Sequence, residues 1–176
     1  MTHSIEPAKT GRAKCRGCNR PIAKDELRFG ERVTNVFGDG ETTLWFHLRC
    51  AAFKRPETFL EALAGRNDIR DAPELAAAAD EGIRHRRLPR LHGAERAPTG
   101  RARCRACRQP IARGTWRLPL VYFEEYRFEP SGFVHAGCAR DYFGTADLIE
   151  RVHYFNPELT EQDLRELAEA CGSRVA

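Results

Sequence analysis

Cys15-Arg-Gly-Cys18 and, 28 residues later, His47-Leu-Arg-Cys50 form the stretch that decides this fold. Three thiolates and one imidazole complete the tetrahedral shell of a structural zinc ion and leave no coordination position for a substrate. A single Cys-x-x-Cys could also be a redox pair. The histidine and the fourth ligand at this distance favour a metal site instead.

The whole pattern occurs twice, which removes most of the doubt about its meaning. Segment 11–29 aligns without gaps to segment 100–118, with 10 of 19 positions identical. Neither disulfide pairing nor thiol catalysis requires two equivalent sets of ligands, so the sequence predicts two structural zinc ions as its cofactors. The second set, with a gap of 27 residues before its histidine, is Cys104, Cys107, His135 and Cys138.

Cys171 is the one cysteine outside both sets. It follows an amphipathic helical pattern, which favours a buried thiol over a reactive nucleophile. Thiols kept as metal ligands are typical of a reducing compartment. The opening residues contain no apolar export signal, and no apolar run approaches the roughly 20 residues that cross a bilayer. We therefore expect an intracellular protein without membrane contact, nucleoid-associated in the cytoplasm of a bacterium or nuclear in a eukaryote.

The 176 residues suit two small modules, and the duplication favours two. We predict an α+β fold in which each module is a short antiparallel sheet packed with helices. The expected boundaries are 1–88 for the first module, 89–99 for a turn-rich linker and 100–176 for the second module, with residues 1–8 loose. A module of this size buries limited apolar surface, so zinc should supply part of its folding free energy.

Each ligand pair is followed by Pro-Ile-Ala and then by two segments of strand character, which should deliver the histidine to the metal. The predicted strands lie near 27–33, 42–46, 116–120 and 127–134, with a turn at Gly38-Asp39-Gly40. Helices are expected after the fourth ligand of each set. Their predicted bounds are 48–53, 56–64, 73–88, 139–143, 145–153 and 160–170, the last capped by Thr160 and Asp163.

Charge is distributed unevenly although the net value is only +4. Residues 9–28 contain seven basic side chains against two acids, and residues 84–117 contain eleven arginines against Glu95 alone. Both basic segments surround the first ligand pair of a module. Two equivalent basic segments favour a polyanionic partner such as DNA over a merely solvated surface.

The first module resembles the zinc fingers of poly(ADP-ribose) polymerases, a single copy of which also occurs in a eukaryotic DNA ligase. The resemblance rests on Gly11-Arg12-Ala13, Lys24-Asp25-x-Leu27-Arg28 and Trp45-Phe46 beside the zinc-ligand pattern, and it covers about 11–63 and 100–154. It implies a small sheet packed on helices that binds DNA strand breaks rather than a base sequence, often in pairs. The second copy departs from the pattern with Phe133-Val134 before its histidine. No segment matches the family's ADP-ribosyltransferase domain, so the resemblance implies recognition without that catalysis.

The same resemblance implies which residues contact DNA. Arg12, Arg28, Arg101 and Arg117 match positions that contact the DNA backbone in the family, although each could be an ordinary surface arginine. Arg16 and Arg105, beside ligand cysteines, are further candidates that could instead stabilise the anionic zinc centre. Phe37, with Val36 and Leu44 behind it, is the best candidate to stack on an exposed base pair. In the second module the candidates, each of which could equally be core, are Tyr122, Phe123, Tyr126 and Phe128.

These features predict a zinc-dependent detector of nicks, gaps or duplex ends that combines phosphate contacts with base stacking, and repair proteins are possible partners. The alternative is a zinc-stabilised adaptor that binds protein through its acidic terminal helix or its alanine-rich helix. Catalysis is not expected. A nuclease would need a hydrated metal held by acids or histidines, and His85, His92 and His153 stand without such neighbours in the sequence.

Overall fold

The computed structural model of this protein describes residues 2–36 and 38–173, which form two compact units. Unit 1 comprises the residues up to Arg84 together with Phe123–Phe128, and unit 2 comprises His85–Tyr122 and the residues from Glu129 onward. The strands form two three-stranded antiparallel sheets, and helices follow each sheet in the chain. The α+β prediction with two small modules is confirmed.

Three strands form the sheet of unit 1 in the order β1-β2-β3. Phe29 of the central strand and Phe46 of its neighbour are fully buried cross-strand partners, with ring centroids 6.0 Å apart. Aromatic residues such as these favour strands because they pack well against their cross-strand neighbours. The strands are β1 (Ser4–Pro7), β2 (Leu27–Thr34) and β3 (Glu41–His47).

Three helices complete unit 1. Pro56 opens the second of them, where its missing N–H costs nothing. The third ends at Arg84, four residues before the predicted end, because Leu88 is buried in the core of unit 2. The helices are α1 (Leu48–Lys54), α2 (Pro56–Leu63) and α3 (Ala72–Arg84).

The sheet of unit 2 has the order β4-β5-β6 and includes residues that we predicted to be a linker. Within 89–99 the structure has a short strand, and Leu91, Ala94 and Ala97 are buried there. The segment is therefore part of unit 2, because its apolar side chains enter the core of that unit. The strands are β4 (Glu95–Arg96), β5 (Trp116–Glu124) and β6 (Arg127–His135).

Residues 1–8 require the same correction. The described residues of this segment include β1, which pairs with β2, and Ile5 and Ala8 are buried. A sequence signal for both short strands exists, since Glu6-x-Ala8-x-Thr10 returns as Glu95-x-Ala97-x-Thr99. Extending the internal alignment upstream would have predicted a third strand in each sheet.

Three helices follow the sheet of unit 2. Thr160 caps the last through the predicted box, accepting from the Asp163 N–H while the Asp163 carboxylate accepts from the Thr160 N–H. The helix predicted at 145–153 begins only at Ile149. The helices are α4 (Ala139–Phe143), α5 (Ile149–Phe155) and α6 (Glu161–Cys171).

Candidate zinc centres and nucleic-acid interface

The first four predicted ligands converge in unit 1. One ligand atom from each of Cys15, Cys18, His47 and Cys50 lies within 4.8 Å of all the others. The His47 Nδ1 is 3.3 Å from the Cys18 Sγ and 3.9 Å from the Cys50 Sγ. Tetrahedral zinc with ordinary bond lengths separates sulfur and nitrogen ligands by about 3.5 Å. The group therefore suits a zinc ion.

Local backbone structure brings these ligands together. The Asn19 N–H donates to the Cys15 carbonyl over 2.8 Å, which closes a tight turn that contains both Cys15 and Cys18. Gly17 allows a close approach within this turn, because a Cβ there would lie 2.9 Å from the Cβ of Cys50. His47 ends β3, and Cys50 lies in the first turn of α1.

Unit 2 repeats the arrangement. The His135 Nδ1 is 3.4 Å from the Cys107 Sγ and 3.9 Å from the Cys138 Sγ, and the His135 N–H donates to the Cys104 Sγ over 3.4 Å. All four ligand atoms again lie within 4.8 Å of one another. The two Cys₃His groups suit two zinc ions, as predicted.

A carbonyl oxygen fixes the histidine tautomer at each centre. The His47 Nε2 is 3.2 Å from the Pro21 carbonyl, and the His135 Nε2 is 3.1 Å from the Pro110 carbonyl. A carbonyl can only accept, so Nε2 carries the proton and Nδ1 is left with its lone pair toward the thiols. The Pro-Ile-Ala segment after each ligand pair therefore supplies the outer contact that orients the imidazole.

Hydrogen bonds among the closely spaced ligand groups shift the pKa values of Cys18 and His47. Hydrogen bonds with Cys15 and then Cys50 hold the pKa of the Cys18 thiol far below its ordinary value. Hydrogen bonds with the thiols of Cys15 and Cys18 raise the pKa of His47 to about 10. Zinc takes thiolates and a neutral imidazole, so metal binding must release the protons that these groups share.

Arg28 is largely buried and forms an ion pair with the partly exposed Glu6. Its Nη2 donates to the Glu6 carboxylate over 2.9 Å across the β1–β2 ladder. Its guanidinium carbon lies 3.5 Å from the centre of the Trp45 ring, and only 7% of the residue is exposed. The arginine thus holds together the short first strand and the aromatic residue two positions before the ligand His47.

Arg117 repeats this arrangement in unit 2. It is 7% exposed, its Nε donates to Glu95 over 2.8 Å, and its guanidinium carbon lies 3.6 Å from the centre of the Phe133 ring. Sequence reasoning found both arginines but missed their carboxylate partners. Glu6 and Glu95 occupy equivalent places in the repeat, and that equivalence was the available signal.

The other predicted contact arginines are exposed. Arg12 and Arg101 lie just before the ligand pairs, and Arg16 and Arg105 lie within them. Within residues 2–36 and 38–173, no ion pair involves any of these four side chains. The Arg105 Nε donates to the Ser131 carbonyl over 3.1 Å, which holds that side chain near β6. Each zinc centre is therefore flanked by two exposed arginines that have no carboxylate partner among the described residues.

The predicted stacking loop joins β2 to β3. Phe37 lies outside the described residues, so its role stays a prediction. Its neighbour Val36 is 59% exposed, whereas Leu44 is 2% exposed and belongs to the core. An apolar side chain this open is one that a base pair could cover.

The aromatic candidates of the second copy are placed differently. Phe123–Phe128 belongs to unit 1, where Phe128 packs edge-on against Phe46 with centroids 6.4 Å apart. The guanidinium carbon of Arg55 lies 4.2 Å from the centre of the Phe123 ring. Tyr126 donates its hydroxyl to the Thr34 carbonyl. Phe123 and Phe128 are thus in ring contacts and Tyr126 in a hydrogen bond, whereas Tyr122 of unit 2 is 42% exposed.

The remaining histidines and the seventh cysteine belong to neither centre. Within the described part of the chain, the metal-competent groups are the two Cys₃His sets, and they do not include His85, His92 or His153. Cys171 is 4% exposed, and burial raises its pKa to about 11. A thiol protonated and enclosed in this way is packing, not a nucleophile.

Comparison with known proteins agrees with this geometry. Residues 6–86 match the family described as the poly(ADP-ribose) polymerase and DNA-ligase zinc-finger region. The chain is a protein of the poly(ADP-ribose) polymerase-type zinc-finger family. The match begins at Glu6, the carboxylate partner of Arg28, and so includes the end of β1.

Several curated poly(ADP-ribose) polymerases are similar to this zinc-finger chain. Poly [ADP-ribose] polymerase 1 of Oryza sativa subsp. japonica is 30% identical over 146 residues, which cover 76% of this chain and 14% of that protein. The polymerase of Drosophila melanogaster is 30% identical over 139 residues, covering 70% and 14%. Poly [ADP-ribose] polymerase 1 of Caenorhabditis elegans is 35% identical over 69 residues, covering 39% and 7%. The chain thus spans a small fraction of each relative, confined to the zinc-finger region.

Proposed function

We propose that this zinc-finger protein recognises DNA strand breaks, that it does so without catalysing a reaction, and that it works beside DNA in the nucleus or nucleoid. The observation that carries the proposal is the surface of each zinc centre, where two exposed arginines have no acidic partner in the described chain. Such guanidinium groups bind phosphate oxygens through paired, charge-assisted hydrogen bonds. Among the described residues, no helix is long and apolar enough to cross a bilayer.

Phosphate contacts come from two kinds of arginine. Arg12, Arg16, Arg101 and Arg105 reach outward and supply most of the attraction to DNA. Arg28 and Arg117 are held flat against an aromatic ring by a carboxylate, and in each the Nη1 makes no hydrogen bond with the described residues. A guanidinium edge fixed in this way donates to a phosphate with little further loss of side-chain entropy.

Recognition of a break requires a contact that can form only where the duplex is interrupted, such as stacking on a terminal base pair. In unit 1 the β2–β3 loop presents Val36, beside Phe37, and an apolar loop can cover the face of a terminal base pair. The matching tip of the second copy packs within unit 1 through Phe123 and Phe128. We therefore assign base stacking to unit 1, while unit 2 contributes phosphate contacts.

The decisive experiment compares a nicked DNA hairpin with its sealed twin at the same salt concentration, using zinc-loaded protein. Wild type should prefer the nicked hairpin by about tenfold, since stacking on one exposed base pair contributes about 1–3 kcal/mol. Val36→Ser with Phe37→Ala should abolish the preference but leave general duplex binding. Ile83→Ser is the matched control, because Ile83 is an exposed apolar residue on α3 of the same unit. Equal binding of both hairpins by wild type would refute the proposal.

A protein-binding adaptor is the second candidate, and one feature favours it. Unit 2 contains a groove of about 710 Å³ whose apolar walls include Phe133, Phe155 and Leu159. The indole Nε1 of Trp116, which lines this groove, is buried without a hydrogen-bond partner. Cross-linking of a photoreactive residue at Leu159 to a protein rather than to nicked DNA in cell extract would support this function over the first.

A further inference from the structure

A cluster of three arginines in unit 2 lies outside the predicted DNA contacts. Arg86 and Arg87 precede the short 3₁₀ turn Leu88–Arg90, Arg90 is its last residue, and all three arginines are exposed. Leu88 is 1% exposed and anchors the turn in the core of unit 2. The turn therefore fixes the backbone from which three guanidinium groups project.

Tyr142 of α4 orders two of these arginines. The guanidinium carbon of Arg87 lies 4.9 Å from the centre of the Tyr142 ring, and its Nη1 donates to the Tyr142 carbonyl over 3.4 Å. The Arg90 Nη1 donates to the Tyr142 hydroxyl over 3.3 Å. Tyr142 is itself 9% exposed and packs edge-on against Phe143 with centroids 4.9 Å apart. Both guanidinium groups are thus pre-organised, which lowers the entropy lost when they bind a ligand.

The cluster carries charge that the described residues do not neutralise. Arg86, Arg87 and Arg90 take part in no ion pair within that part of the chain. Other arginines nearby in the sequence do have acidic partners: Arg84 pairs with Glu81 at 3.1 Å, and Arg96 pairs with Glu166. Three adjacent like charges repel one another, and an anionic ligand relieves that repulsion.

The spacing of the cluster suits a chain of phosphates. Residues i and i+3 of a 3₁₀ turn project from the same side, so Arg87 and Arg90 present their guanidinium groups to one ligand surface. A DNA strand offers a regular series of tetrahedral anions that several arginines can contact together, whereas a single carboxylate satisfies one guanidinium fork. Tyr142 also follows the zinc ligand Cys138 by four residues, so the second zinc centre fixes the start of the segment that carries it.

We propose that Arg86, Arg87, Arg90 and Tyr142 form an additional phosphate-binding surface for duplex DNA, which contacts the flank of a break rather than the break itself. This inference rests on the proposed function. Contacts on the flank add affinity and salt dependence but do not distinguish a nicked duplex from a sealed one.

The test uses the zinc-loaded full chain with the double variant Arg87→Gln/Arg90→Gln and, separately, Arg86→Glu. The probes are nicked duplexes with arms of about 8 and about 20 base pairs, titrated over a range of salt concentrations. Both variants should bind the long-armed probe about tenfold more weakly, with a flatter salt dependence, by about 0.9 in slope per lost phosphate contact. Their binding to the short-armed probe should change less than about twofold, and the ratio of nicked to sealed binding should stay the same.

Two features of the design keep the outcome unambiguous. Arg86 makes no hydrogen bond, ion pair or ring contact within the described residues, so Arg86→Glu tests the surface even if the double variant unfolds. Arg165→Gln is the matched control, because Arg165 is an exposed arginine of α6 in the same unit, and it should leave both affinities unchanged.

Unchanged affinity and salt dependence of Arg86→Glu and of a folded double variant on the long-armed probe would overturn the inference. The inference would also be overturned if these variants lost binding of an acidic peptide such as poly-glutamate but kept DNA binding. The surface would then bind a protein rather than DNA. If wild type does not prefer nicked over sealed DNA but Arg86→Glu still weakens long-duplex binding, the break proposal fails and this surface stands.

Discussion

Unit 1 and unit 2 contain the same zinc-ligand set and the same arginine–carboxylate pair, yet the tips of their hairpins differ. The β2–β3 loop of unit 1 exposes Val36, whereas the β5–β6 tip, Phe123–Phe128, packs its aromatic side chains within unit 1. The two copies therefore share the zinc ligands and the arginine–carboxylate pair, on which folding depends. They differ at the hairpin tip, on which folding depends less. Loops carried on a rigid scaffold are where such change is tolerated.

A second difference concerns the aromatic ring that contacts Arg28 or Arg117 and the strand residue at the position of Gly30. Gly30 of β2 is opposite Trp45, and a Cβ at Gly30 would lie 2.7 Å from the Trp45 ring. The corresponding residues in the second copy are Pro119 and Phe133. In unit 2 the smaller ring of Phe133 replaces Trp45, and the larger Pro119 replaces Gly30. We infer that the two positions have changed together, since each unit retains an aromatic ring that contacts its arginine.

Removal of a zinc ligand should have the largest effect and test whether the two units fold separately. Structural zinc contributes on the order of 10 kcal/mol to the folding of a small module, and the two sets of ligands share no residue. Cys50→Ala should remove one zinc and unfold unit 1, while Cys138→Ala removes the other and unfolds unit 2. Metal analysis with amide NMR spectra measures both. Cys171→Ala, a buried cysteine outside the ligand sets, should retain two zinc ions, and collapse of both units in either ligand variant would show that they fold as one.

Gly30→Ala should destabilise unit 1 by about 1–3 kcal/mol, because the new methyl group would lie 2.7 Å from the Trp45 ring, 2.9 Å from the Ser4 hydroxyl oxygen and 3.0 Å from the Thr43 methyl group. The added change Trp45→Phe should recover the part of that loss that comes from the ring contact, since it recreates the smaller ring that Phe133 provides in unit 2. Chemical denaturation of the two single variants and the double variant gives their coupling energy. Additive losses would contradict the idea that these positions have changed together.

Removal of the carboxylate partners should have a somewhat smaller effect. Glu6→Ala and Glu95→Ala each leave a buried guanidinium without its acceptor, which costs about 1–3 kcal/mol. The loss should be greater for Glu95→Ala, because Glu95 accepts from both Nε and Nη2 of Arg117 whereas Glu6 accepts from Nη2 of Arg28 alone. Denaturation in the presence of zinc measures each loss. Glu161→Ala, which removes an exposed carboxylate of α6, is the control and should cost little.

The smallest effects are expected at exposed arginines. Arg12→Gln and Arg101→Gln should each weaken DNA binding a few-fold and lower the salt slope by about 0.9, because each removes one phosphate contact from an equivalent place. Fluorescence titration on nicked DNA at several salt concentrations measures both quantities. An effect in one unit only would mean that the two zinc centres are not equally engaged by DNA. Neither change should affect unfolding, since neither side chain is buried.

Much of the fold could be predicted from the sequence because its strongest signals are local. The spacing of Cys15, Cys18 and their partners predicts the zinc centres, and zinc coordination tolerates few residue types and few geometries. Thr160 and Asp163 predict the start of α6 because a capping box is complete within four residues. These features were confirmed.

The chain by itself thus determined the pattern of zinc ligands, the presence and order of the helices and the class of the fold, since each depends on residues that interact at close or fixed spacing. Tertiary structure alone decided that Arg28 is paired and largely buried, because its partner Glu6 is 22 residues away and lies on a strand too short to show periodicity. It also decided that Phe123 and Phe128 pack against Arg55 and Phe46, because an exposed and a packed aromatic residue look alike in a sequence until the surface that contacts them is known.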